Sequence, residues 1–565
     1  MIVFGDPVTV VTLKEAISTL RQLQKSADPD TSRTLVIGCG QLEQAIADLA
    51  DKDPTFATAK SAAEALTDNA SDAFILETAP VVAGQLELLE TLLLANLALT
   101  LKAPEGFQFY SLYPEQFAVT ATRFAAAHTP ESAFVIGLRS IGTTLSAVVN
   151  SALRHSGVRS RRITIRPGGH PFSREVSPAD IKPENSEQII VVDEGPGLSG
   201  SSMASVAAAL QSLGVNLDQV TFFPAHDRGP GPNCPEWARD IWDKVKVHTT
   251  NAAELRWAGM SLKEKLLNSI ELPVSERAEL VYGGHGAWRR FAYPDEAAWP
   301  PLAPHFDRPK QIVVSEGRPA AVWEFHGLCP SWRDSNSEPS ILGYRQMAWP
   351  AGRRCVPSDW DTGKGTLIFR TLEGTHGVMN QPEREASWNR LTEMLYWNLW
   401  ESLGEDVANL VKTTFNQMEL RQAARGTLRE LAPWAWVLDA TSQPTLASPF
   451  TPEMDHTVIG EQPWLWDLAR LCVEWEVSPP ESMEIFAVTW PDMHPLEPLF
   501  HLLAAAAFAL GQFTLALSNS DESERPRLEK AIATRKGQIH GFLALLPKVQ
   551  QGVPAGLQMA LGKSA

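Results

Sequence analysis

The segment 189-IIVVDEGPGLSGSSMASVAAAL-210 constrains this chain more than any other. The apolar run Ile189–Val192 reads as a fully buried strand. Asp193 and Glu194 follow at its C-terminal end, where open α/β sheets place their ligands. Gly195 to Ser202 carry almost no side-chain bulk, so backbone N–H groups can close around an anion. Ala204 to Leu210 read as the helix that follows, whose N-terminus favours the same anion. This layout suits a molecule with both a diol and a phosphate: the carboxylates accept from hydroxyls while the loop and helix hold the phosphate. The plainer reading of an Asp-Glu pair after a strand is a polar strand end, and it is the neighbouring loop that favours the functional one.

The surrounding pattern predicts the sheet that would carry this segment. FVIGL (134–138), RITIRP (162–167), IIVV and 219-QVTFFPAH-226 read as strands, with LSAVVNSALRHSG (145–157) as a helix between the first two. That alternation calls for an α/β fold with a mostly parallel sheet. Ahead of it, 34-TLVIGCGQLEQAIADLA-50 and 73-AFILETA-79 show strand and helix patterns, and a leucine-rich helix is expected near 85–101. The Gly38-Cys39-Gly40 turn is a partial dinucleotide fingerprint with Glu43 at its third glycine position, and an ordinary strand-to-helix turn is the preferred reading.

Residues 189–203 resemble the signature of type I phosphoribosyltransferases, and the likeness extends over about 105–250. It implies that Asp193 and Glu194 hold the ribose hydroxyls of phosphoribosyl pyrophosphate. Gly195, Gly197, Ser199, Gly200, Ser201 and Ser202 would line its 5-phosphate, on a loop one residue longer than the family's. 137-GLRSIGTTL-145, with Arg139 and Gly142, resembles the pyrophosphate loop. 166-RPGGHPFSRE-175 falls where the family carries a mobile flap. Asp193, Glu194 and Arg139 are thus expected to carry the transfer, with Arg166 and Arg174 as further anion ligands. Arginine suits pyrophosphate because its planar fork makes paired, charge-assisted hydrogen bonds. Arg154, Arg159 and Arg161 read as solvated surface, and His226 as either an acceptor-facing group or a turn histidine. The resemblance also implies Mg²⁺ beside Asp193 and Glu194, bridging pyrophosphate and ribose.

Composition separates the two halves. Fifteen of the 18 tryptophans lie at or beyond Trp288, and 293-YPDEAAWPPLAPHFDRPK-310 holds five prolines. The expected domains are therefore 1–104, 105–250, a connector and linker over 251–310, and 311–565, and a chain ending near Tyr293 should fold alone. In the last of these, 311-QIVVSEGRPAAVWEF-325 reads as a hairpin around Glu316-Gly317, and 384–403 as an amphipathic helix. 453-EMDHTVIGEQPWLWDLARLCVEW-475 resembles the metal-site segment of aminoglycoside- and choline-kinase-like phosphotransferases, which implies an α+β kinase-like domain with metal at Asp455 and Asp467 and ATP as a candidate ligand. Trp323-Glu324-Phe325 occupies the strand where that family's lysine belongs. The catalytic His-x-Asp loop is replaced by 433-PWAWVLDAT-441, with Asp439 the only stand-in for a base. An inactive or ligand-sensing domain is the preferred reading there. 361-DTGKGT-366 lacks the full phosphate-loop spacing and reads as a turn.

A net charge of −17 argues against a nucleic-acid or anionic-membrane partner. Five scattered cysteines with no CxxC pair suit a reducing cytoplasm. The apolar stretch 501–517, interrupted by His501 and Gln512, reads as a buried helix rather than a span. The expected function is Mg²⁺-dependent transfer of phosphoribose to a nitrogenous acceptor, with release of pyrophosphate. The alternatives are a sensor of phosphoribosyl pyrophosphate or nucleotides that does not turn over, and a small-molecule kinase acting through the C-terminal half. A homo-oligomer is compatible with each.

Overall fold

The computed structural model describes residues 6–25, 28–184, 187–271, 278–303, 307–332, 340–361, 364–365, 368, 378–379, 381–415, 431–447, 462–489, 493–494, 496–518 and 520–546. The chain divides into two compact units. One joins Asp6–Leu280 to Trp323–Met347, and the other holds Val281–Val322 and the chain from Ala348 onward. The boundary expected at the proline-rich stretch thus falls earlier, near 280, and residues 6–104 share a unit with 105–250. Prolines mark extended backbone, and long-range packing decides which segments share a core. Residues 323–347 return to the first unit through specific bonds. The Gln108 side-chain amide donates to His326 O at 3.3 Å, Tyr113 Oη to Leu342 O at 2.9 Å, and Leu342 N to Asp30 at 3.2 Å. A chain cut near Tyr293 would lose these partners.

The first unit opens with β1 (Val8–Thr12), α1 (Leu13–Gln24), α2 (Pro29–Ala50), α3 (Ala57–Ile75), α4 (Ala83–Leu92), β2 (Ala98–Lys102), a short α5 (Glu105–Phe109) and α6 (Pro114–His128). β1 and β2 pair antiparallel. Then come β3 (Ser132–Leu138), α7 (Ile141–His155), β4 (Arg159–Ile165), the small ribbon β5 (Gly168–His170) and β6 (Ser173–Glu175), β7 (Gln188–Val192), α8 (Ser201–Ser212), β8 (Val220–Phe223), α9 (Glu236–Trp242) and β9 (Lys246–Val247). The strands form a five-stranded sheet in the order β4-β3-β7-β8-β9, with every pairing parallel. The α/β alternation predicted from 134 onward is therefore present. Ile190–Val192 and Phe134–Ile136 are buried, as strands covered on both faces must be.

The segment at 34–50 differs from its reading as a strand and turn. It is the body of α2, capped by the Asp28 carboxylate, which accepts from Thr31 N at 3.0 Å. Leu35 to Ile37 are buried on every side of that helix, and an unbroken apolar run cannot tell a buried helix from a buried strand. The glycines serve packing: a Cβ at Gly38 would press on Leu20 at 2.8 Å, and one at Gly40 would collide with Thr144 on α7. Likewise 73–79 includes the end of α3 rather than a strand.

In the C-terminal region the hairpin Lys310–Ser315/Arg318–Phe325 is present, with Glu316 (φ 52°) and Gly317 (φ 75°) both left-handed as a tight two-residue turn requires. The second unit contains a three-stranded antiparallel sheet (Arg353–Arg354, Trp436–Leu438, Pro444–Leu446) and, besides the short helix Arg289–Ala292, the longer helices Gln381–Leu403, Glu405–Phe415, Trp464–Glu474, Pro479–Thr489, Leu496–Ser518 and Arg525–Leu543. Leu496–Ser518 is long and apolar enough to cross a membrane, yet 78% of its most apolar window is buried inside the protein. It packs in one cluster with Trp436, Leu465, Leu468 and Phe542.

Candidate functional site

β7 ends where its register with β8 ends, and Asp193 and Glu194 leave the sheet together. Asp193 Oδ1 accepts from Glu194 N at 2.8 Å, while Ala225 N donates to Glu194 O at 2.8 Å and fixes the peptide. Glu194 Oε2 accepts from Gly106 N at 2.8 Å. Both side chains are half-buried, with protein around them and one face open. Two further carboxylates share this recess. Asp6 accepts from Ser140 Oγ and, at 3.1 Å, from Glu105 N, and Glu105 itself follows. Burial, and then mutual repulsion, keeps protons on the group. Asp193 is pushed up to about 7 by burial and by Asp6, and Glu194 to about 8 by burial, Asp193 and Asp6. Glu105 is raised well above the usual carboxylate range by burial and by Glu194, Asp6 and Asp193. Asp6 is raised by burial against the opposing pull of Ser140 and Lys102. Sequence reasoning missed Asp6 and Glu105: they flank the β1–β2 ribbon, far from β7 in the chain and in no motif.

Gly195–Gly200 form the loop before α8. Gly200 N donates to Pro196 O at 2.6 Å, and the loop is braced from outside by Gly231 N on Gly197 O (2.9 Å) and Asn233 N on Leu198 O (3.0 Å). The amides of Gly195, Gly197, Leu198 and Ser199, with those of Ser202 and Met203 in the first turn of α8, donate to no acceptor among the described residues. Free amides in a glycine-rich loop at a helix start are available to an anion. The serines divide: Ser199 and Ser201 are buried, bonded to each other at 2.9 Å and to Pro171 O at 3.4 Å, whereas Ser202 is half-buried. Gly200 has a structural reason of its own. Its φ is 65°, and a Cβ there would lie 2.6 Å from Trp242 Nε1 and 2.7 Å from Pro230 Cβ.

The arginines face a different environment. Arg139, at the end of β3 and buried, is paired with Asp51 and, at 3.3 Å, with Asp48. Arg166 bonds both oxygens of Asp48 at 2.7 Å. Arg162, also buried, bonds Glu43 at 2.8 Å and Asp68 at 2.6 Å. Arg161 pairs with Glu187 and lies 3.8 Å from the Phe134 ring centroid. Arg154 is 38% exposed on Asp72, and Arg159 is exposed. Arg174 is half-buried, donates to Gly169 O at 3.0 Å within the β5–β6 ribbon, and is lowered by burial and by Arg166. Lys102 is lowered by burial and Arg166, with Asp6 and Asp48 acting against that shift. Gly142 lies in the first turn of α7, where a Cβ would sit 2.8 Å from Val192 O. His226 stands beside Gly195, with burial and Arg228 lowering its pKa.

Of the residues assigned to the kinase-like site, Asp467 and Asp439 are among the described residues. Asp455 lies outside them. Asp467 is fully buried within Trp464–Glu474, and Asp439 accepts from Thr441 N at 2.7 Å and Gln443 N at 3.0 Å to close a turn. No group of three or more His, Cys, Asp or Glu among the described residues is arranged to hold a metal. Asp193 and Glu194 offer hard oxygen donors, the right chemistry for Mg²⁺ but not a closed ligand set, so they fit an ion that arrives with a ligand. Scans against protein-family models, curated proteins and solved structures return no match to this chain.

Proposed function

We propose that the first unit binds 5-phosphoribosyl pyrophosphate and transfers its phosphoribose to a nitrogenous acceptor, releasing pyrophosphate. The observation that carries this reading is the adjacency of two carboxylates at the end of β7 to a loop of unengaged amides opening α8. Asp193 and Glu194 accept from the ribose hydroxyls, and the Gly195–Met203 amides hold the 5-phosphate. Asp193 and Glu194 would hold a Mg²⁺ ion that arrives with the ligand, and the ion would supply positive charge that favours their ionised form. As the bond at the anomeric carbon loosens, positive charge develops on the ribose, and ionised carboxylates set in a poorly solvated recess stabilise it. Positioning supplies much of the remaining rate.

A second reading, binding without turnover, is favoured by one observation: Arg139 and Arg166 are already neutralised by Asp48 and Asp51. The second unit, with its large tryptophan-rich core, fits an inactive or ligand-sensing partner better than a kinase, and a cytoplasmic location accords with five free cysteines. Calorimetry of the full chain with phosphoribosyl pyrophosphate and Mg²⁺ tests the site. A pyrophosphate-release assay across nitrogenous acceptors then separates transferase from sensor. No binding at millimolar ligand would sink both readings.

A further inference from the structure

The β1–β2 ribbon brings an acidic residue to the turn where pyrophosphate is expected. Its register pairs Val8 with Lys102, and Ala103 N donates to Pro7 O at 2.8 Å. Asp6, just ahead of β1, and Glu105, just after β2, therefore reach the same end of the ribbon. There the Asp6 carboxylate accepts from Ser140 Oγ, on the turn between β3 and α7, and from Glu105 N. Lys102 and Arg166 are the cations that act on it. Asp193, Glu194 and Glu105 are its acidic neighbours. A carboxylate among three others is poorly placed for stability, because like charges at close range disfavour ionisation of all of them. Ser140 Oγ, which retains it, lies on the turn an incoming pyrophosphate would use, with Lys102 and Arg166 acting from farther off.

We propose that Asp6 is an internal occupant of the pyrophosphate subsite formed by the Ser140 turn, Lys102 and Arg166, and that it holds this subsite closed until ligand displaces or neutralises it. The inference rests on the reading of the β7 end as a phosphoribosyl pyrophosphate site. It makes the N-terminal strap an autoinhibitory contact, so affinity is set by competition between one fixed carboxylate and a mobile anion.

The test is calorimetric titration of the full-length chain with inorganic pyrophosphate and with phosphoribosyl pyrophosphate, each with Mg²⁺. The proteins compared are wild type, Asp6→Asn, Asp6→Ala and the Asp193→Asn/Glu194→Gln pair. Asparagine keeps the shape and the acceptor for Ser140 and Glu105 N while removing the charge, so it carries the test should the alanine variant unfold. Both Asp6 variants should bind pyrophosphate about tenfold more tightly than wild type. Equal affinity would overturn the proposal, and weaker affinity would make Asp6 a ligand of the incoming cation instead. If Asp6 variants match wild type while the Asp193/Glu194 pair abolishes phosphoribosyl pyrophosphate binding, the autoinhibitory role falls and the site stands. If no protein binds either ligand, both fall.

Discussion

Two charged clusters of the first unit handle charge in opposite ways. On the carboxylate side, Asp6, Glu105, Asp193 and Glu194 crowd together: burial raises all four toward the neutral form, and repulsion adds to it for Glu105, Asp193 and Glu194. On the guanidinium side, Arg139, Arg162 and Arg166 each meet carboxylates from α2, its C-terminal cap or α3. One side is short of cations, and the other has its charges matched by residues about a hundred positions away. Net charge in a segment therefore says little about the field in a site. Arg154, Arg162 and Arg166 of the arginine-rich stretch meet acids on the N-terminal helices, while the acidic pair keeps unmet demand for a ligand.

The largest expected effect lies on the carboxylate side. Replacing Asp193 with Asn and Glu194 with Gln should cost roughly 1.5–3 kcal/mol of phosphoribosyl pyrophosphate affinity per carboxylate. The same change should flatten the pH profile of the unliganded protein. Both folded pKa values, about 7 and about 8, lie above the ordinary 3.8 and 4.5. The folded chain thus holds more protons across that window, so stability falls as pH rises through it. Thermal melts from pH 4 to 8 should show a shallower decline in the double variant. An unchanged slope would mean that the pair is solvated and not crowded.

Next comes the guanidinium side. Arg162→Met leaves Glu43 buried without its counter-ion, at a cost of roughly 3–5 kcal/mol by urea denaturation. Arg162→Met combined with Glu43→Gln should recover much of that loss, because a neutral pair no longer strands a charge. A double variant as unstable as the single one would point instead to lost packing.

Gly200→Val tests the loop that follows the acid pair. It was legible from sequence as a position that must stay small, but the physical cause differs from the expected one. A side chain there meets Trp242 and Pro230 at a left-handed φ before it meets any ligand. The variant should lose about 1–3 kcal/mol of stability, with loss of ligand protection following from the disturbed loop. Full stability with abolished binding would restore the simpler view that the side chain blocks phosphate directly.

The contrast between what could and could not be read from the chain has the same origin. β3, β4, β7 and β8, the acid pair and the small-residue loop are contiguous, and their apolar runs and turn chemistry are local signals. The 34–50 segment carries no helical signal because Leu35–Ile37 are buried on all sides of α2, which erases periodicity. Asp6, Glu105, Asp48 and Asp51 act at the site only through register and helix placement, and no local pattern announces that. The return of residues 323–347 to the first unit depends on bonds such as Tyr113 Oη to Leu342 O, which composition does not encode.

The smallest effect isolates burial as the variable. Arg154 and Arg162 both belong to the arginine-rich stretch, and both bond acids on α3, Asp72 and Asp68, which lie one helical turn apart. Arg162's side chain is 4% exposed and Arg154's is 38%. Arg154 Nη2 reaches the two oxygens of Asp72 at 2.8 and 2.9 Å, but water competes for both partners. Asp72 also keeps Ser151 Oγ and has His155 at 3.3 Å, so it is not stranded when the arginine goes. Arg154→Ala should therefore cost at most about 1 kcal/mol, and that cost should shrink at high ionic strength, as exposed pairs are screened. Urea denaturation of both arginine variants at low and high salt makes the comparison directly. Were Arg154→Ala as damaging as Arg162→Met, and equally so at both salts, burial would not be what separates the two. The contrast between matched interior charge and solvated surface charge would then fail along the whole stretch.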